Sequence, residues 1–147
     1  MAGRSCGAAW RTRCAGAVLT ALLLDTTVLV AAERDTIDLD ALIFDDDEPA
    51  IAAVTVAELS VGVELASGRR QAARRAFVEA LLDAMPVLPY DLAVARVHAE
   101  LLVAVRAAGR RRGAHDLLIA ATARASKRTV VSLDRQGLDG LPGVTVR

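Results

Sequence analysis

Short aliphatic runs alternate with helical patterns along the chain, and this alternation constrains the fold more than any other feature. Strands separated by helices pair in parallel, and the helices then cover the sheet. The sequence therefore predicts an α/β domain built around a largely parallel sheet. Five runs are strand candidates: Val18–Leu24, Ala50–Val54, Pro86–Leu88, Thr129–Ser132 and Val144–Val146.

Helical patterns fill the intervals between these strands. Thr55 is expected to cap the helix Val56–Ala66, and Asp91 is expected to cap the helix Leu92–Ala108. In the helix Arg69–Leu82, alanine-rich positions are expected to face the core, with Arg70, Arg74 and Arg75 outside. The expected core positions of the fourth helix are Ala72, Ala73, Ala76, Phe77, Ala80 and Leu81. The six predicted helices are Thr27–Glu33, Leu39–Phe44, Val56–Ala66, Arg69–Leu82, Leu92–Ala108 and Ala114–Arg124.

Length and composition favour one aliphatic domain. The 147 residues suit a single core, and 54% hydrophobic with 24% charged residues excludes wholesale disorder. Aromatic residues are only 3%, which argues against a base-stacking platform for single-stranded nucleic acid.

The N-terminal residues look like an extension. Cys6 and Cys14 have no further Cys or His nearby to complete a metal site, and the apolar run from Ala15 to Leu24 is too short to span a bilayer and lacks a cleavage signal. We expect residues 1–17 to lie outside the fold and residues 18–147 to form the domain. Nothing in this stretch directs the chain to a membrane or out of the cytoplasm.

Charge is segregated although it sums to zero. Residues 25–64 carry eleven acids and one arginine, whereas residues 65–147 carry fourteen bases and seven acids. The acidic run Asp45–Glu48 is expected to be a solvated loop, because adjacent like charges repel.

Four acidic residues interrupt the apolar pattern where ligands bind in folds of this class. Asp25 follows the LLL run, Asp134 follows VVSL, Asp116 opens DLLIAATA, and Glu58 lies just inside the helix after IAAVT. Each position is predicted to lie near the carboxyl end of a strand. Clustered carboxylates require a cation or protons, and hard oxygen ligands select Mg²⁺ or Mn²⁺. With no HExxH, CxxC or phosphate-loop motif present, metal-assisted phosphodiester hydrolysis fits these residues best.

Taken singly, most of these acids have a structural alternative. Asp25 and Asp116 suit helix caps, and Asp134 suits the start of a turn in DRQG. Glu58 fits this alternative least well, because it lies within the apolar stretch VTVAELSVGV, where an unpartnered carboxylate is costly.

Four segments together resemble the motifs of the PIN-domain ribonucleases, most of all the VapC-type toxins of toxin–antitoxin modules. They are LLLDTTVLVAAER, VTVAELSVGVELA, AGRRRGAHDLLIAATA and VVSLDRQGL, and the resemblance extends from Leu22 to Val146. It implies a PIN-like three-layer domain, a sheet of about five strands flanked by helices, and endoribonuclease activity. DRQG departs mildly from the DRD-like stretch of many relatives.

The resemblance also implies roles for individual residues. Asp25 and Asp116 would be the principal Mg²⁺ ligands, with Mn²⁺ as a possible substitute. Asp134 would complete the ligand shell. Glu58 would also belong to the metal site, where it would hold a metal-bound water that attacks the RNA phosphate. The hydroxyls expected to support the site belong to Thr26, Thr27 and Ser132.

Further implications concern RNA and protein partners. Arg110, Arg111 and Arg112 are candidate RNA contacts, with a merely solvated loop as the alternative. The resemblance also implies a homodimer that a VapB-like antitoxin inhibits by lying over a groove near the site. The candidate walls of this groove are the helices Val56–Ala66 and Arg69–Leu82, whose apolar faces could equally belong to the core. His115 is expected at the surface beside the site, and His98 is expected to be structural.

Two other classes of function remain open from the residues. The first is a non-catalytic PIN-like interaction module in which the acids only cap helices. The second is a phosphotransfer domain, either a haloacid-dehalogenase-like phosphatase or a receiver. The former needs an acid where Thr27 stands, and the latter needs a lysine late in the sheet, whereas Lys127 precedes the strand.

Overall fold

The computed structural model describes residues 19–147, which form an α/β domain. The expected N-terminal extension, both cysteines and the first residue of the predicted strand Val18–Leu24 lie outside the described residues. In the described part of the chain, four strands form a parallel sheet in the order β3-β2-β1-β4. The strands are β1 (Thr20–Leu24), β2 (Asp47–Ala52), β3 (Val87–Leu88) and β4 (Thr129–Val131).

Helices connect the strands at nearly all the predicted places. None of the helices in the described part of the chain is long and apolar enough to cross a membrane. They are α1 (Thr26–Glu33), α2 (Leu39–Leu42), α3 (Ala53–Glu64), α4 (Gly68–Ala84), α5 (Leu92–Ala107) and α6 (Ala114–Ala125).

The three leucines of β1 explain why the chain forms three layers. Side chains along a strand alternate between the two faces of the sheet. Leu23 packs into a core beneath α5 and α6, while Leu22 and Leu24 pack into the opposite core with α1, α3 and α4. All three are fully buried. An unbroken apolar run is therefore what a central strand covered on both faces requires.

The predicted fifth strand, Val144–Val146, is reduced to a single parallel bridge between Val130 and Val146. This segment follows a turn at Pro142 and Gly143 and pairs with β4 only around Val130. The amide of Val130 donates to Thr145 and the amide of Arg147 donates to Val130.

The prediction that Thr55 caps α3 is wrong. The helix begins at Ala53 directly after β2, and its N-cap residue Ala52 has no capping side chain. Thr55 lies inside the first turn, fully buried, and its hydroxyl has no hydrogen-bond partner among the described residues. Asp91, in contrast, caps α5 as predicted, since its carboxylate accepts the amide of Val94 at 2.9 Å.

The predicted core face of α4 is also wrong. Of its six positions only Leu81 is buried, while the four alanines are exposed and Phe77 is partly buried. Val78 joins Leu81 in the core. Arg74 points inward rather than outward: its Nε lies 3.1 Å from Glu33 Oε1, and its Nη1 donates to the carbonyl of Gly62 at 2.8 Å. An alanine-rich helix carries no strong hydrophobic signal for its face, so long-range partners decide it.

The acidic run Asp45–Glu48 is not simply a solvated loop. Asp47 begins β2 and is buried. Its Oδ2 lies 2.8 Å from the guanidinium of Arg147, which supplies the partner that a buried carboxylate requires.

Candidate active site

The pairing of β1 with β4 brings the first and last motifs together. Leu24 lies opposite Val131 in this parallel pair, and the amide of Asp25 donates to the carbonyl of Val131 at 3.0 Å. Asp25, the first residue after β1, therefore lies beside Ser132, the first residue after β4. Both residues lie at the carboxyl edge of the sheet, as the sequence predicts.

The carboxylate of Asp25 accepts hydrogen bonds from three residues, and Asp25 is only 5% exposed. Its Oδ1 accepts the amide of Thr26 at 2.8 Å, which makes Asp25 the N-cap of α1. Its Oδ2 accepts the hydroxyls of Thr27 at 2.8 Å and Ser132 at 2.6 Å. Capping and membership of the polar cluster are thus compatible at one residue, because the two oxygens point to different donors.

Glu58 reaches the same cluster from α3. One carboxylate oxygen accepts the hydroxyl of Thr26, and the other lies 2.5 Å from Nδ1 of His115 on α6. Glu58 thereby joins three helices. His115 was expected only at the surface beside the site; its contact with Glu58 is a feature that sequence reasoning missed. The one sequence signal was its position directly before Asp116 in the first turn of α6.

Asp116 lies at the electrostatic centre of the four acids. Its pKa is raised above the ordinary value, first by burial and then by the negative charges of Asp25, Asp134 and Glu58, while a hydrogen bond from the Gly113 amide acts in the opposite direction. Asp116 also lines one groove together with Asp25 and Glu58 and another together with Asp134. The four acids that the sequence singled out are therefore neighbours in space.

Asp116 does not cap α6, contrary to its structural alternative. The N-cap position belongs to Gly113, with no side-chain cap. The carboxylate of Asp116 lies against the backbone of two glycines: a Cβ built on Gly113 would fall 2.6 Å from its Oδ2, and one built on Gly137 would fall 2.7 Å from its Cγ. A Cβ at either position would therefore displace the Asp116 carboxylate.

Asp134 lies in the turn that follows β4. Its Oδ1 accepts the amide of Gln136 at 3.1 Å, which is the turn predicted for DRQG. Its own amide donates to the hydroxyl of Ser132 at 3.1 Å. The carboxylate is exposed, so it remains accessible while it stabilises the turn.

Two grooves meet at Asp116. One, of about 460 Å³, also contains Asp25 and Glu58 and is bordered by Arg34 and Thr36. The other, of about 800 Å³, contains Asp134 and is bordered by the arginines of the loop before α6. Arg34 is a cation that sequence reasoning missed. It is the C-cap residue of α1 and closes the segment LLLDTTVLVAAER, and only the packing of α1 beside α3 brings it to the groove.

The three arginines of that loop differ in their surroundings. Arg112 donates to the carbonyls of Gln136 and Asp139, the latter at 2.6 Å. Arg110 and Arg111 are exposed on the groove rim. His98 contacts Tyr90, with 3.0 Å between its Nδ1 and the phenol oxygen, and lies outside the carboxylate cluster.

The donor set suits a hard divalent cation by its chemistry, since it consists of carboxylates and hydroxyls. Positive charge at Asp116 would relieve the repulsion that raises its pKa. Within residues 19–147, however, no group of three or more Asp, Glu, His or Cys side chains is arranged so that it could hold a metal ion. Glu58 is instead engaged by Thr26 and His115.

Comparison with known proteins gives one consistent result. The PIN domain family model matches residues 22–142. Ribonuclease VapC5 of Mycobacterium tuberculosis is 38% identical over 127 residues, which covers 84% of this chain and 92% of that protein. The plasmid stability protein StbB of Pseudomonas syringae pv. tomato is 36% identical over 125 residues, covering 77% of this chain and 87% of that protein.

Solved structures agree with the sequence comparison. The crystal structure of VapBC-5 from Mycobacterium tuberculosis, a member of the VapBC family of toxin-antitoxin systems, matches with a TM-score of 0.72 at 35% identity, covering 86% of this chain and 97% of that one. VapBC2 from Rickettsia felis, bound to a DNA fragment from its promoter, has a TM-score of 0.78 at 21% identity, covering 87% and 98%. The second similarity concerns the fold alone.

Proposed function

Since this chain belongs to the PIN-domain family, we propose that it is a metal-dependent endoribonuclease, the VapC-type toxin of a toxin–antitoxin pair. The observation that carries the proposal is the convergence of four acids from distant parts of the sequence on one edge of the sheet. Asp116 lines one groove together with Asp25 and Glu58 and the other together with Asp134. The relatives that are named ribonucleases support RNA as the substrate. Since it would cleave cellular RNA, we propose that this protein acts in the cytoplasm.

Asp25, Asp116 and Asp134 are the proposed ligands of Mg²⁺ or Mn²⁺, although their side chains are not arranged as a metal site in the described residues. The ion when bound would supply the positive charge that activates water and stabilises the scissile phosphate. The hydroxyls of Thr27 and Ser132 fix the orientation of Asp25 through its Oδ2. A carboxylate that is already oriented loses little conformational freedom when it binds a metal ion. We assign this orienting role to Thr27 and Ser132.

Glu58 is proposed to hold the attacking water and accept its proton. A general base must be fixed within hydrogen-bond reach of the proton that it removes. Thr26 and His115 fix the carboxylate from both sides.

RNA phosphates are proposed to meet arginines on both sides of the acidic centre. Arg34 borders one groove, and Arg110 and Arg111 border the other. Because the centre itself is acidic, flanking cations are required to hold a polyanion there.

Replacement of Asp25 by Asn tests the catalytic proposal against the non-catalytic PIN-like alternative. Purified protein is incubated with single-stranded RNA and Mg²⁺, and the cleavage ends are mapped. We expect the cleavage rate to fall by about 10²-fold or more. Asp91→Asn is the matched control, since Asp91 also caps a helix but lies outside both grooves. Wild-type cleavage by folded Asp25→Asn would contradict the proposal and favour the alternative.

A VapB-like antitoxin is the proposed protein partner, supported by the toxin-antitoxin systems to which the similar structures belong. Co-expression with a VapB-like antitoxin sought in the neighbouring reading frame is expected to give a stable complex that no longer cleaves RNA. Cleavage by the complex at the rate of the free protein would contradict this part of the proposal.

We further propose a homodimer. Leu65, Leu92 and Val103 leave large apolar side chains 83%, 66% and 65% exposed, which association could cover. Light scattering after size exclusion is expected to give twice the chain mass, and a monomer mass at micromolar concentration would contradict it.

A further inference from the structure

The side chain of Arg112 joins the two loops that border the carboxyl edge beside Asp116. It leaves the loop between α5 and α6 and donates from Nη1 to the carbonyl of Gln136 and from Nη2 to the carbonyl of Asp139, at 2.6 Å. These carbonyls belong to the turn that begins at Asp134. The planar guanidinium suits this arrangement, because it presents fixed, forked N–H groups to two acceptors at once.

Gly137 lies between the two carbonyls that Arg112 holds. Its backbone packs so closely on Asp116 that an added Cβ would fall 2.7 Å from Cγ, closer than real Cβ contacts are found. Gly113, the next residue after Arg112, packs on the same carboxylate from its own loop. Each of the two loops that Arg112 joins therefore supplies a glycine that packs against the Asp116 carboxylate.

We propose that Arg112 is a positioning residue that seats Gly137 against Asp116 and so fixes the Asp116 carboxylate for its part in RNA cleavage. This inference rests on the proposed nuclease function. It gives Arg112 a role different from that of its two neighbours in sequence, although the run of arginines suggested one role for all three.

The hydrogen bonds of Arg112 explain the difference. Its two terminal nitrogens already donate to backbone carbonyls, so a phosphate contact through the same nitrogens would have to replace these bonds. Arg110 and Arg111 are exposed and keep their charge available on the groove rim. A positioning role predicts an effect on the rate of cleavage, whereas a phosphate contact predicts an effect on RNA affinity.

The test compares Arg112→Gln with Arg111→Gln in the full chain. For Arg112→Gln we expect kcat to fall about 10-fold to 10²-fold, since small displacements of reacting groups have effects of this size. Affinity for RNA measured in EDTA is expected to stay at the wild-type value. Arg111→Gln is expected to weaken RNA binding in EDTA and to retain kcat.

Three further measurements keep the inference testable if Arg112→Gln folds poorly. Arg112→Lys retains the charge but loses the fork, and we expect an intermediate kcat. Gly137→Ala leaves Arg112 intact and is expected to reproduce the loss of kcat, with Gly62→Ala as the control because a Cβ there meets only Arg74 at 3.8 Å. Amide hydrogen exchange over residues 135–140 is expected to accelerate in Arg112→Gln and not in Arg111→Gln.

Two outcomes would overturn the inference. One is weakened RNA binding by Arg112→Gln with unchanged exchange over residues 135–140, which would make Arg112 a phosphate contact. The other is wild-type kcat despite accelerated exchange. If the wild-type protein cleaves no RNA, the proposed function fails separately. Titration with Mn²⁺ alone then decides the inference: weaker binding by Arg112→Gln than by Arg111→Gln supports it, and equal binding overturns it.

Discussion

The hydroxyl of Ser132 lies 2.6 Å from Oδ2 of Asp25, although 107 positions separate the two residues. The contact follows from the parallel pairing of β1 with β4, which aligns Leu24 with Val131 and lets both strands end at the same level. Each strand then delivers one polar side chain to the same point.

Ser132→Ala is expected to lower both stability and cleavage. It removes one of two hydroxyl donors to a buried carboxylate oxygen, and we expect the free energy of unfolding to fall by about 1 kcal/mol, because Thr27 still donates to that oxygen. Denaturant titration measures this loss, and a cleavage assay measures the effect on rate. Ser126→Ala, which removes a hydroxyl bonded at the end of α6, should leave cleavage unchanged.

Gly113→Ala is expected to reduce cleavage without strain in its own backbone. Gly113 has φ −60° and ψ 140°, which alanine adopts freely, so the clash of its Cβ with Asp116 is the main effect. Displacement of this carboxylate should lower kcat by about 10-fold to 10²-fold. Gly62→Ala, inside α3, should stabilise the fold by about 0.5–1 kcal/mol with unchanged kcat. Equal kcat for the two variants would show that clearance at Asp116 is unimportant.

Asp116→Asn is expected to stabilise the fold at neutral pH while it abolishes cleavage. Because folding raises the pKa of Asp116, the wild-type protein loses stability as the pH rises from the ordinary value of 3.8 through the raised value. Asparagine carries no charge and removes this dependence. Thermal unfolding should therefore show a higher Tm for the variant at pH 7 and converging values as the pH falls below 3.8. Asp83→Asn is the control on an exposed helix position, and a lower Tm for Asp116→Asn than for Asp83→Asn at pH 7 would contradict the prediction.

Arg74→Leu and Arg75→Leu are expected to differ in stability although the residues are adjacent. The Arg74–Glu33 pair is 15% and 20% exposed, whereas the Arg75–Glu64 pair, with 3.7 Å between charged atoms, is 59% and 75% exposed. Removing Arg74 leaves Glu33 and the Gly62 carbonyl without their donor, so we expect a loss of about 1–3 kcal/mol. For Arg75→Leu a change within about 0.5 kcal/mol is expected. Urea titration of both variants measures the difference.

Arg34→Gln is expected to weaken RNA binding in a salt-dependent way. If Arg34 meets a phosphate, its loss should reduce the slope of log K against log salt concentration by about one. The measurement is RNA affinity in EDTA over a series of NaCl concentrations. Arg70→Gln, on the exposed side of α4 and outside both grooves, is the charge-matched control. Identical slopes for the two variants would remove Arg34 from the RNA path.

Much of the fold could be predicted because its signals are local. The LLL run of β1 reports burial on both faces, and Asp91 reports the start of α5, since each depends on residues only a few positions apart. Alanine carries no such information. The face of α4 was predicted wrongly because it is set by Glu33, 41 positions from Arg74.

The candidate site likewise has one part that the sequence predicts and another that only the packing of the fold decides. The sequence by itself determined that Asp25 and Asp134 follow strands and that Glu58 and Asp116 lie early in helices, at one edge of a parallel sheet. Only the tertiary structure decided that His115 holds Glu58, that Arg34 borders the groove, and that Arg112 donates to the loop after Asp134. The physical reason is that strand and helix patterns repeat over a few residues, whereas these hydrogen bonds and groove contacts join side chains that only the packing of separate elements brings within reach.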